Sequence, residues 1–387
     1  MSRPSTPLSG LLAATADLPT PAAIVDADAL WANADDLVRR ANGVPIRVAS
    51  KSVRVRSIVE RTLERDGFAG IMSYSLAESI WLVDHGARDV LLAYPTTDVL
   101  ALRELVVDDT RLSSVTVMVD SLDGLDLIRS VVGDAPVRVC LDVDASLRLG
   151  PAHLGVRRSP LRSPDQVRYV AATAASRGFD VVGVMFYDAQ IAGLPDSSPA
   201  VRLVKKQSAA ELAERRPAVV SAVREVADLE IVNAGGTGSL EVTGADPSIT
   251  ELTAGSGLFT PTLFDGYDAF DARPAAFYAL SVVRKPTDDI ATLFSGGYVA
   301  SGAANKNRQP SPTWPEGLSL IGTEGAGEVQ TPVKGSAARS LRVGDRVLMR
   351  HAKAGEMCER FDAVHLVDAD GAVETTPTYR GEGKNFG

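Results

Sequence analysis

The sequence feature that most constrains the fold is a repeated alternation between short apolar runs and stretches with helical periodicity. Each run has the length of a buried strand, and each following stretch has the length of a surface helix. The runs are AAIVD (22–26), IRVAS (46–50), GIMSY (70–74), DVLLAY (89–94), VTVMVD (115–120), VRVCLDVD (137–144), VVGVMFY (181–187) and EIVNAG (230–235). Eight such units predict a closed (β/α)8 barrel of the TIM type. An open doubly wound sheet shares the alternation, but eight regular units favour closure.

The segments between the runs carry helix boundary signals, and the pattern changes near the carboxyl terminus. SLAESIWLVDHG (75–86) begins with Ser75 as N-cap, has Glu78 three residues later and ends at Gly86. After about residue 275 the strand-like runs FYALSVV, IATLF, GLSLIG, DRVLM and AVHLV lie between turns rich in Gly and Pro. We therefore predict an α/β barrel over residues 18–274 and an all-β domain over residues 275–387 together with residues 1–17.

Composition and charge exclude several classes of partner. The formal net charge is −9 and only 5% of the residues are aromatic, which disfavours nucleic-acid binding. No apolar run approaches the roughly 18 residues of a membrane span, and the amino-terminal segment is a poor signal peptide. Two cysteines, Cys140 and Cys358, form no disulfide framework. We expect a cytoplasmic protein that binds a small molecule, with no nucleic-acid or membrane partner.

Lys51 is the first candidate for chemistry, because it directly follows the second strand run. Residues at the carboxyl ends of barrel strands surround the active site, and a lysine in a dry pocket can form a Schiff base. Lys51 could instead be the first solvated residue after the strand. It is, however, the single lysine among the first 204 residues of an arginine-rich chain.

Two glycine clusters follow the last runs of the barrel pattern. They are GGTGS (235–239) and, twenty residues later, GSG (255–257). Backbone N–H groups at such glycine turns bind phosphate, and the late strands of barrels commonly hold one. Glycine turns are also common without any ligand. Together with a Schiff-base lysine, the two clusters predict pyridoxal 5′-phosphate (PLP).

His351 lies in RVLMRHAKAGEMCERF, close to Glu356 and Cys358. Histidine, cysteine and glutamate are typical ligands of zinc and related metals. The spacing of seven from His351 to Cys358 matches no standard zinc pattern. A loop histidine beside a buried free cysteine is the alternative to a metal site.

These segments resemble the fold-type III PLP enzymes, in the branch of D-threonine aldolase and D-serine dehydratase that is related to alanine racemase. The resemblance runs from about residue 18 to residue 368 and includes LPTPAAIVDADAL, IRVASKSVR, VCLDVDASLRLG, IVNAGGTGS and ELTAGSG. It implies a Schiff base at Lys51 and a phosphate site at Gly235, Gly236, Thr237, Gly255, Ser256 and Gly257. Tyr187, in VMFYDAQ, matches a family tyrosine near the substrate. The family has histidines where this chain has Ala49 and Val53.

The resemblance also implies a divalent metal beside the cofactor (Zn, Mn or Mg), held by a histidine and a cysteine or aspartate two residues later. His351 aligns with the histidine, but position 353 is a lysine. We predict Cys358 as the second ligand, with Glu356 as the substitute. HAKAGEMCERF is similar to a subgroup described as amino-acid deaminases or aldolases.

The reaction that the resemblance implies is cleavage at Cα of a β-hydroxy D-amino acid. Retro-aldol cleavage gives glycine and an aldehyde, whereas β-elimination gives a 2-oxo acid and ammonia, and we favour the aldolase. Racemisation is less favoured, because it requires a second acid or base, for which Tyr298 is the candidate. A non-catalytic PLP carrier is also less favoured, because single-barrel carriers lack a β domain. The family implies a homodimer.

Overall fold

In this computed structural model the described residues are 6–270, 273–303 and 305–387. The helices are α1 Leu8–Ala14, α2 Ala27–Ala41, α3 Arg56–Leu63, α4 Leu76–Asp84, α5 Val99–Leu105, α6 Asp109–Ser114, α7 Leu122–Val132, α8 Pro164–Ser176, α9 Ala189–Ala192, α10 Pro199–Arg224, α11 Leu240–Thr243 and α12 Ser256–Phe259. No helix among these residues is long and apolar enough to cross a membrane.

The strands alternate with the helices at first and then follow one another. They are β1 Ala22–Asp26, β2 Ile46–Ala49, β3 Phe68–Ser73, β4 Val90–Pro95, β5 Val115–Val119, β6 Arg138–Asp142, β7 Leu147–Leu149, β8 Ala152–Leu154, β9 Asp180–Phe186, β10 Ile231–Ala234, β11 Glu251–Ala254, β12 Ala276–Thr287, β13 Ile290–Phe294, β14 Ser311–Trp314, β15 Ser319–Leu320, β16 Gln330–Lys334, β17 Arg346–Arg350, β18 Ala363–Val367 and β19 Val373–Pro377.

Eight parallel strands form a closed barrel, which confirms the predicted fold class. Their order is β2-β3-β4-β5-β6-β9-β10-β11, and β11 pairs with β2 to close the ring. Apolar side chains from several strands pack together in the barrel, among them Met72, Met118 and Met185. The barrel is closed by more than backbone pairing, because Arg47 of β2 donates to both carboxylate oxygens of Glu251 in β11, each at 2.7 Å.

Seven of the eight apolar runs are barrel strands, and the first is not. AAIVD (22–26) forms β1, which pairs antiparallel with β12 and parallel with β18 in the second sheet. The eighth barrel strand is instead β11, a segment of only four residues that follows the first glycine cluster. The prediction that AAIVD is a barrel strand is therefore wrong, and the barrel begins with α2 rather than at residue 18.

The carboxyl-terminal segment forms the predicted all-β domain. Its sheet runs β15-β16-β13-β12-β1-β18-β19, and β17 pairs with both β12 and β14. Each of the five strand-like runs found after residue 275 contributes a strand to it. The helix predicted at 75–86 is also confirmed, since the N–H of Glu78 donates to Ser75 Oγ at 3.2 Å as an N-cap requires.

Candidate active site

A cavity of about 520 Å³ opens at the carboxyl ends of the barrel strands. The strand ends of β2, β4, β9, β10 and β11 all contribute to its wall, as expected for a barrel of this type. Their contributions are Lys51, Tyr94, Tyr187, Gly235 and Gly255. The β domain supplies Ser301, Arg308, Lys353 and Glu356. The cavity therefore lies between the two domains.

Lys51 reaches the cavity because β2 ends at Ala49 and a single 3₁₀ turn, Ser50–Ser52, follows. Ser50 and Ser52 are buried, while the side chain of Lys51 is exposed to the cavity. Lys51 Nζ donates a hydrogen bond to Tyr94 Oη at 2.5 Å. The structure thus places the lysine that the sequence analysis singled out at the wall of the cavity.

Tyr94 is a site residue that the sequence analysis missed. Burial raises its pKa, but the positive charges of Lys51 and Arg158 and the hydrogen bond from Lys51 lower it, and the net pKa is below the ordinary value. Tyr94 lies near the end of β4, within the run DVLLAY. Tyr94 meets the same criterion as Lys51, because both lie at the carboxyl end of a predicted barrel strand.

Tyr187 and Arg158 form a second part of the wall. The guanidinium carbon of Arg158 lies 5.2 Å from the ring centre of Tyr187 and 5.6 Å from that of Tyr94. Both tyrosines therefore face one cation at the cavity. Arg158 was not predicted, and it lies after the β7–β8 hairpin rather than at a strand end.

The two glycine loops pack so closely against neighbouring segments that they leave no room for a Cβ. A Cβ at Gly236 would lie 2.8 Å from Ala192 Cβ, and a Cβ at Gly255 would lie 2.5 Å from the carbonyl oxygen of Ala49. Gly235 has a φ of +82°, which a side chain disfavours. Five of the six predicted loop positions line the cavity, and Gly257 does not.

Hydroxyl groups link the two loops to each other. The N–H of Gly257 donates to Thr237 Oγ1 at 3.0 Å, and the hydroxyls of Thr237 and Ser256 are 3.2 Å apart. The N–H of Gly236 donates to Ser239 Oγ at 3.1 Å. Gly257 therefore holds Thr237 in position rather than forming the cavity wall itself.

His351 and Cys358 are both buried, and neither lines the cavity. His351 directly follows β17, and among the described residues neither of its ring nitrogens has a hydrogen-bond partner of good geometry, although the backbone of Ala276 lies close by. Burial and the charge of Arg350 lower its pKa to about 3, so the ring is neutral. Burial raises the pKa of the Cys358 thiol to about 12, against the opposing charge of Arg54. This thiol packs in the apolar core beside Met357 and Phe361.

These donors do not fit the metal site that the resemblance implies. The implied site requires His351 and its second ligand at the cavity, but His351 and Cys358 are both buried outside the cavity lining. In the described chain, moreover, no group of three His, Cys, Asp or Glu residues is arranged to hold a metal ion. Of the three predicted donors, only the substitute Glu356 lines the cavity. Its Oε2 accepts a hydrogen bond from the N–H of Ser301 at 2.8 Å.

Lys353 lines the cavity, at the position two residues after His351 that the resemblance assigns to a second metal ligand. Burial lowers the pKa of Lys353, the charge of Glu356 raises it, and the charges of Lys51 and Arg308 lower it further. The sequence analysis noted this residue only as a departure from the family pattern. Its place beside Lys51 depends on contacts between segments about three hundred residues apart.

Tyr298, the candidate for racemase chemistry, packs among aromatic rings. Its ring centre lies 4.8 Å from that of Tyr278 and 5.5 Å from that of Phe361, and its hydroxyl is 3.0 Å from Ser295 Oγ. Tyr298 does not line the cavity of its own chain. A packing role within the β domain accounts for these contacts.

Comparison with solved structures identifies the fold. The chain is similar to D-threonine aldolase from Filomicrobium marinum, with a TM-score of 0.80 and 21% identity over 98% of both chains. It is similar to D-threo-3-hydroxyaspartate dehydratase from Delftia sp. HT23, with a TM-score of 0.74 and 19% identity over 94% of this chain and 98% of that one. It is also similar to alanine racemase of Clostridium difficile 630, with a TM-score of 0.63 and 14% identity over 94% of this chain and 100% of that one.

No family model matches the sequence, and no curated protein matches it either. The likeness is therefore one of fold: a closed parallel barrel with a carboxyl-terminal β domain, as in the fold-type III group named from the sequence.

Proposed function

We propose that the chain is a PLP-dependent lyase that cleaves β-hydroxy D-amino acids between Cα and Cβ by retro-aldol reaction. The observation that carries this proposal is that Lys51 and both glycine loops line one cavity at the carboxyl ends of the barrel strands. A lysine amine and a backbone-lined anion site are the two features that PLP requires of a protein. The fold shared with a D-threonine aldolase and a D-threo-3-hydroxyaspartate dehydratase supports the same reaction class.

The residues present fit PLP. Gly236 and Gly255 have no room for a Cβ, which would collide with Ala192 or with the Ala49 carbonyl oxygen, so only glycine lets both loops keep this position at the cavity wall. Thr237 and Ser256 add hydroxyls beside it. Lys51 would hold the cofactor covalently, and the loop positions Gly235, Gly236, Thr237, Gly255, Ser256 and Gly257 would form or support the phosphate site. When bound, PLP withdraws electrons from Cα of an amino acid, so that a bond to Cα can break.

Proton handling falls to Lys51 and Tyr94. The two share a hydrogen bond of 2.5 Å, and the charge of Lys51 together with this hydrogen bond favours the phenolate form of Tyr94, whose pKa lies below its ordinary value. Tyr94 can therefore hold a proton for Lys51 Nζ or return one to it. Tyr187 also lies near Arg158 and lines the cavity, and we expect it to contact the substrate.

Substrate binding uses the charges and apolar groups of the same wall. Arg158 supplies the guanidinium that the α-carboxylate of an amino acid would pair with. Met72, Met185 and Phe264 line other parts of the cavity and reduce access of water to the reacting atoms. We derive no step through a metal ion, because the described donors do not fit one. A metal held by His351 and Cys358 stays a prediction from the resemblance.

Dehydration by β-elimination is the second candidate, and the fold shared with D-threo-3-hydroxyaspartate dehydratase favours it. In that reaction Lys51 would take the proton from Cα and the β-hydroxyl would leave. A panel of β-hydroxy D-amino acids, assayed for aldehyde and for 2-oxo acid, distinguishes the two. Aldehyde and glycine support the aldolase, 2-oxo acid and ammonia support the dehydratase, and no product from any member supports a non-catalytic carrier.

Covalent attachment is tested separately from the reaction. Borohydride reduction of the holoenzyme followed by peptide mapping should place the pyridoxyl group on Lys51. Lys51→Ala should abolish this labelling, while Lys206→Met, at an exposed position of α10, should not change it. A pyridoxyl group on another lysine would contradict the assignment.

A further inference from the structure

The loop that follows β17 is attached to the barrel on two sides. The N–H groups of Thr262 and Leu263 donate to the carbonyl oxygens of His351 and Ala352, both at 3.1 Å. Three residues after Ala352, Gly355 lies against the backbone of Lys51. A Cβ built on Gly355 would lie 3.1 Å from the Lys51 carbonyl carbon. These contacts fix position 353 relative to Lys51.

Lys353 is the charged side chain that this loop brings to the cavity together with Glu356. Glu356 is itself held by the N–H of Ser301 at 2.8 Å. Lys353 is within electrostatic range of Lys51, Tyr94 and Glu356. An amine therefore lies on the wall of the same cavity that contains the attachment lysine, with a carboxylate close enough to balance its charge.

The nearby residues that could bind a metal ion do not form a metal site at this part of the cavity wall. His351 and Cys358 are buried outside the cavity lining. In the described chain, no three His, Cys, Asp or Glu side chains converge to hold an ion. The cation that this loop presents to a substrate is accordingly the ammonium group of Lys353.

We propose that Lys353 binds the β-oxygen of the substrate and takes the place of a divalent metal ion in this lyase. This inference rests on the proposed function. An ammonium group donates hydrogen bonds to a hydroxyl oxygen and stabilises negative charge that develops on it. The backbone contacts of its loop hold residue 353 at the cavity wall, so no ion has to be recruited.

The test compares two ligands that differ only in the β-hydroxyl. D-Threonine and D-2-aminobutyrate are mixed rapidly with the holoenzyme at increasing concentrations, and binding is taken from the first change in cofactor absorbance, before turnover. Lys353→Met should weaken D-threonine binding by about ten-fold or more, the size of a lost hydrogen bond to a charged donor. It should change D-2-aminobutyrate binding by less than two-fold. Lys353→Arg should retain part of the preference, and Lys206→Met should match the wild type.

Metal analysis of the same preparations is the second readout. We expect at most about 0.1 equivalent of divalent metal per chain. We also expect that dialysis against EDTA leaves D-threonine binding unchanged. One equivalent of metal together with loss of D-threonine binding after EDTA would overturn the inference. Equal effects of Lys353→Met on both ligands would also overturn it, because the β-oxygen would not be what Lys353 contacts.

Failure of the proposed function has a different signature. A wild-type chain that carries no pyridoxyl group after borohydride reduction would overturn the PLP assignment, and this inference with it. A wild-type chain labelled at Lys51 that nevertheless requires metal would overturn the role of Lys353 alone. The labelling experiment and the metal analysis therefore separate the two.

Discussion

Gly355 lies so close to Lys51 that a Cβ at position 355 would overlap the Lys51 carbonyl oxygen. Gly355 also has a φ of +102°, a backbone conformation that residues with side chains rarely adopt. The β domain thus meets the barrel backbone at Lys51 itself. The distance between Lys51 and the loop that carries Lys353 depends on this contact.

Gly355→Ala should lower both the stability and the activity of the enzyme, because the new methyl group must push the loop away from Lys51. The matched control is Gly344→Ala, at a φ of +97° with no atom within 4 Å of the added Cβ. Each variant bears the backbone strain of about 1 kcal/mol or more, but only Gly355→Ala should also lose turnover. Thermal unfolding and kcat measure the two effects. Equal loss of activity in both variants would contradict the contact.

Gly236→Val and Gly257→Val should each weaken PLP binding by about ten-fold or more. A Cβ at Gly257 would lie 2.7 Å from Thr237 Cγ2 and a Cβ at Gly236 would lie 2.8 Å from Ala192 Cβ, so either substitution must displace the first glycine loop or its neighbour. Gly322→Val is the control, since nothing lies within 4 Å of its Cβ. PLP affinity is measured by titrating the cofactor into the apo-protein. Unchanged affinity in both loop variants would contradict the phosphate site.

Stability should fall as pH rises because of Glu78, which lies buried beneath the Lys51 turn. Burial raises the pKa of Glu78 to about 7, although Ser50 and the N–H of Tyr74 oppose the shift. The folded state therefore binds a proton more tightly than the unfolded state, and its stability decreases as pH rises from about 4.5 to about 7. Glu78→Gln should reduce this decrease by up to about 3 kcal/mol.

The measurement for Glu78 is urea denaturation of the wild type, Glu78→Gln and Glu104→Gln at several pH values. Glu104 is exposed and serves as the control. The wild type and Glu104→Gln should show the same dependence on pH. A Glu78→Gln variant whose dependence also equals that of the wild type would show that Glu78 does not titrate in this range.

The chain should form a homodimer in solution, as the resemblance implies. Sedimentation velocity of the holoenzyme should give a mass near twice the 40.8 kDa of one chain. A fully active monomer across the concentrations used in the assay would contradict this prediction.

The barrel and the place of Lys51 at the cavity could be predicted from the sequence because both depend on local patterns. Seven apolar runs became barrel strands, and Lys51 was identified from its place at the end of β2. The assignment of AAIVD failed for a physical reason. An apolar run of five residues predicts a buried strand, but it carries no information about which sheet the strand joins.

The role of the 351–356 loop could not be predicted, because it depends on packing between the two domains. His351 has the residue type of a ligand, yet folding buries it outside the cavity lining. In the sequence, Lys353 is an ordinary charged loop residue. Its place at the cavity depends on the contact between Gly355 and Lys51, which only the folded structure shows. Arg158 likewise lines the cavity through its contacts with Tyr94 and Tyr187, which are distant from it in the sequence.

The position of β1 has a consequence for how the two halves of the molecule can move. Because β1 lies between β12 and β18, the polypeptide leaves the sheet after β1, builds the whole barrel and returns to the neighbouring strand β12. The barrel is an insertion tethered at both ends to adjacent strands, with Ala22 paired to Ala279. Because two connections lie side by side, the barrel is not joined to the sheet by a single linker about which it could rotate. Cutting one connection would not release it, so a nicked protein should retain its assembled cavity.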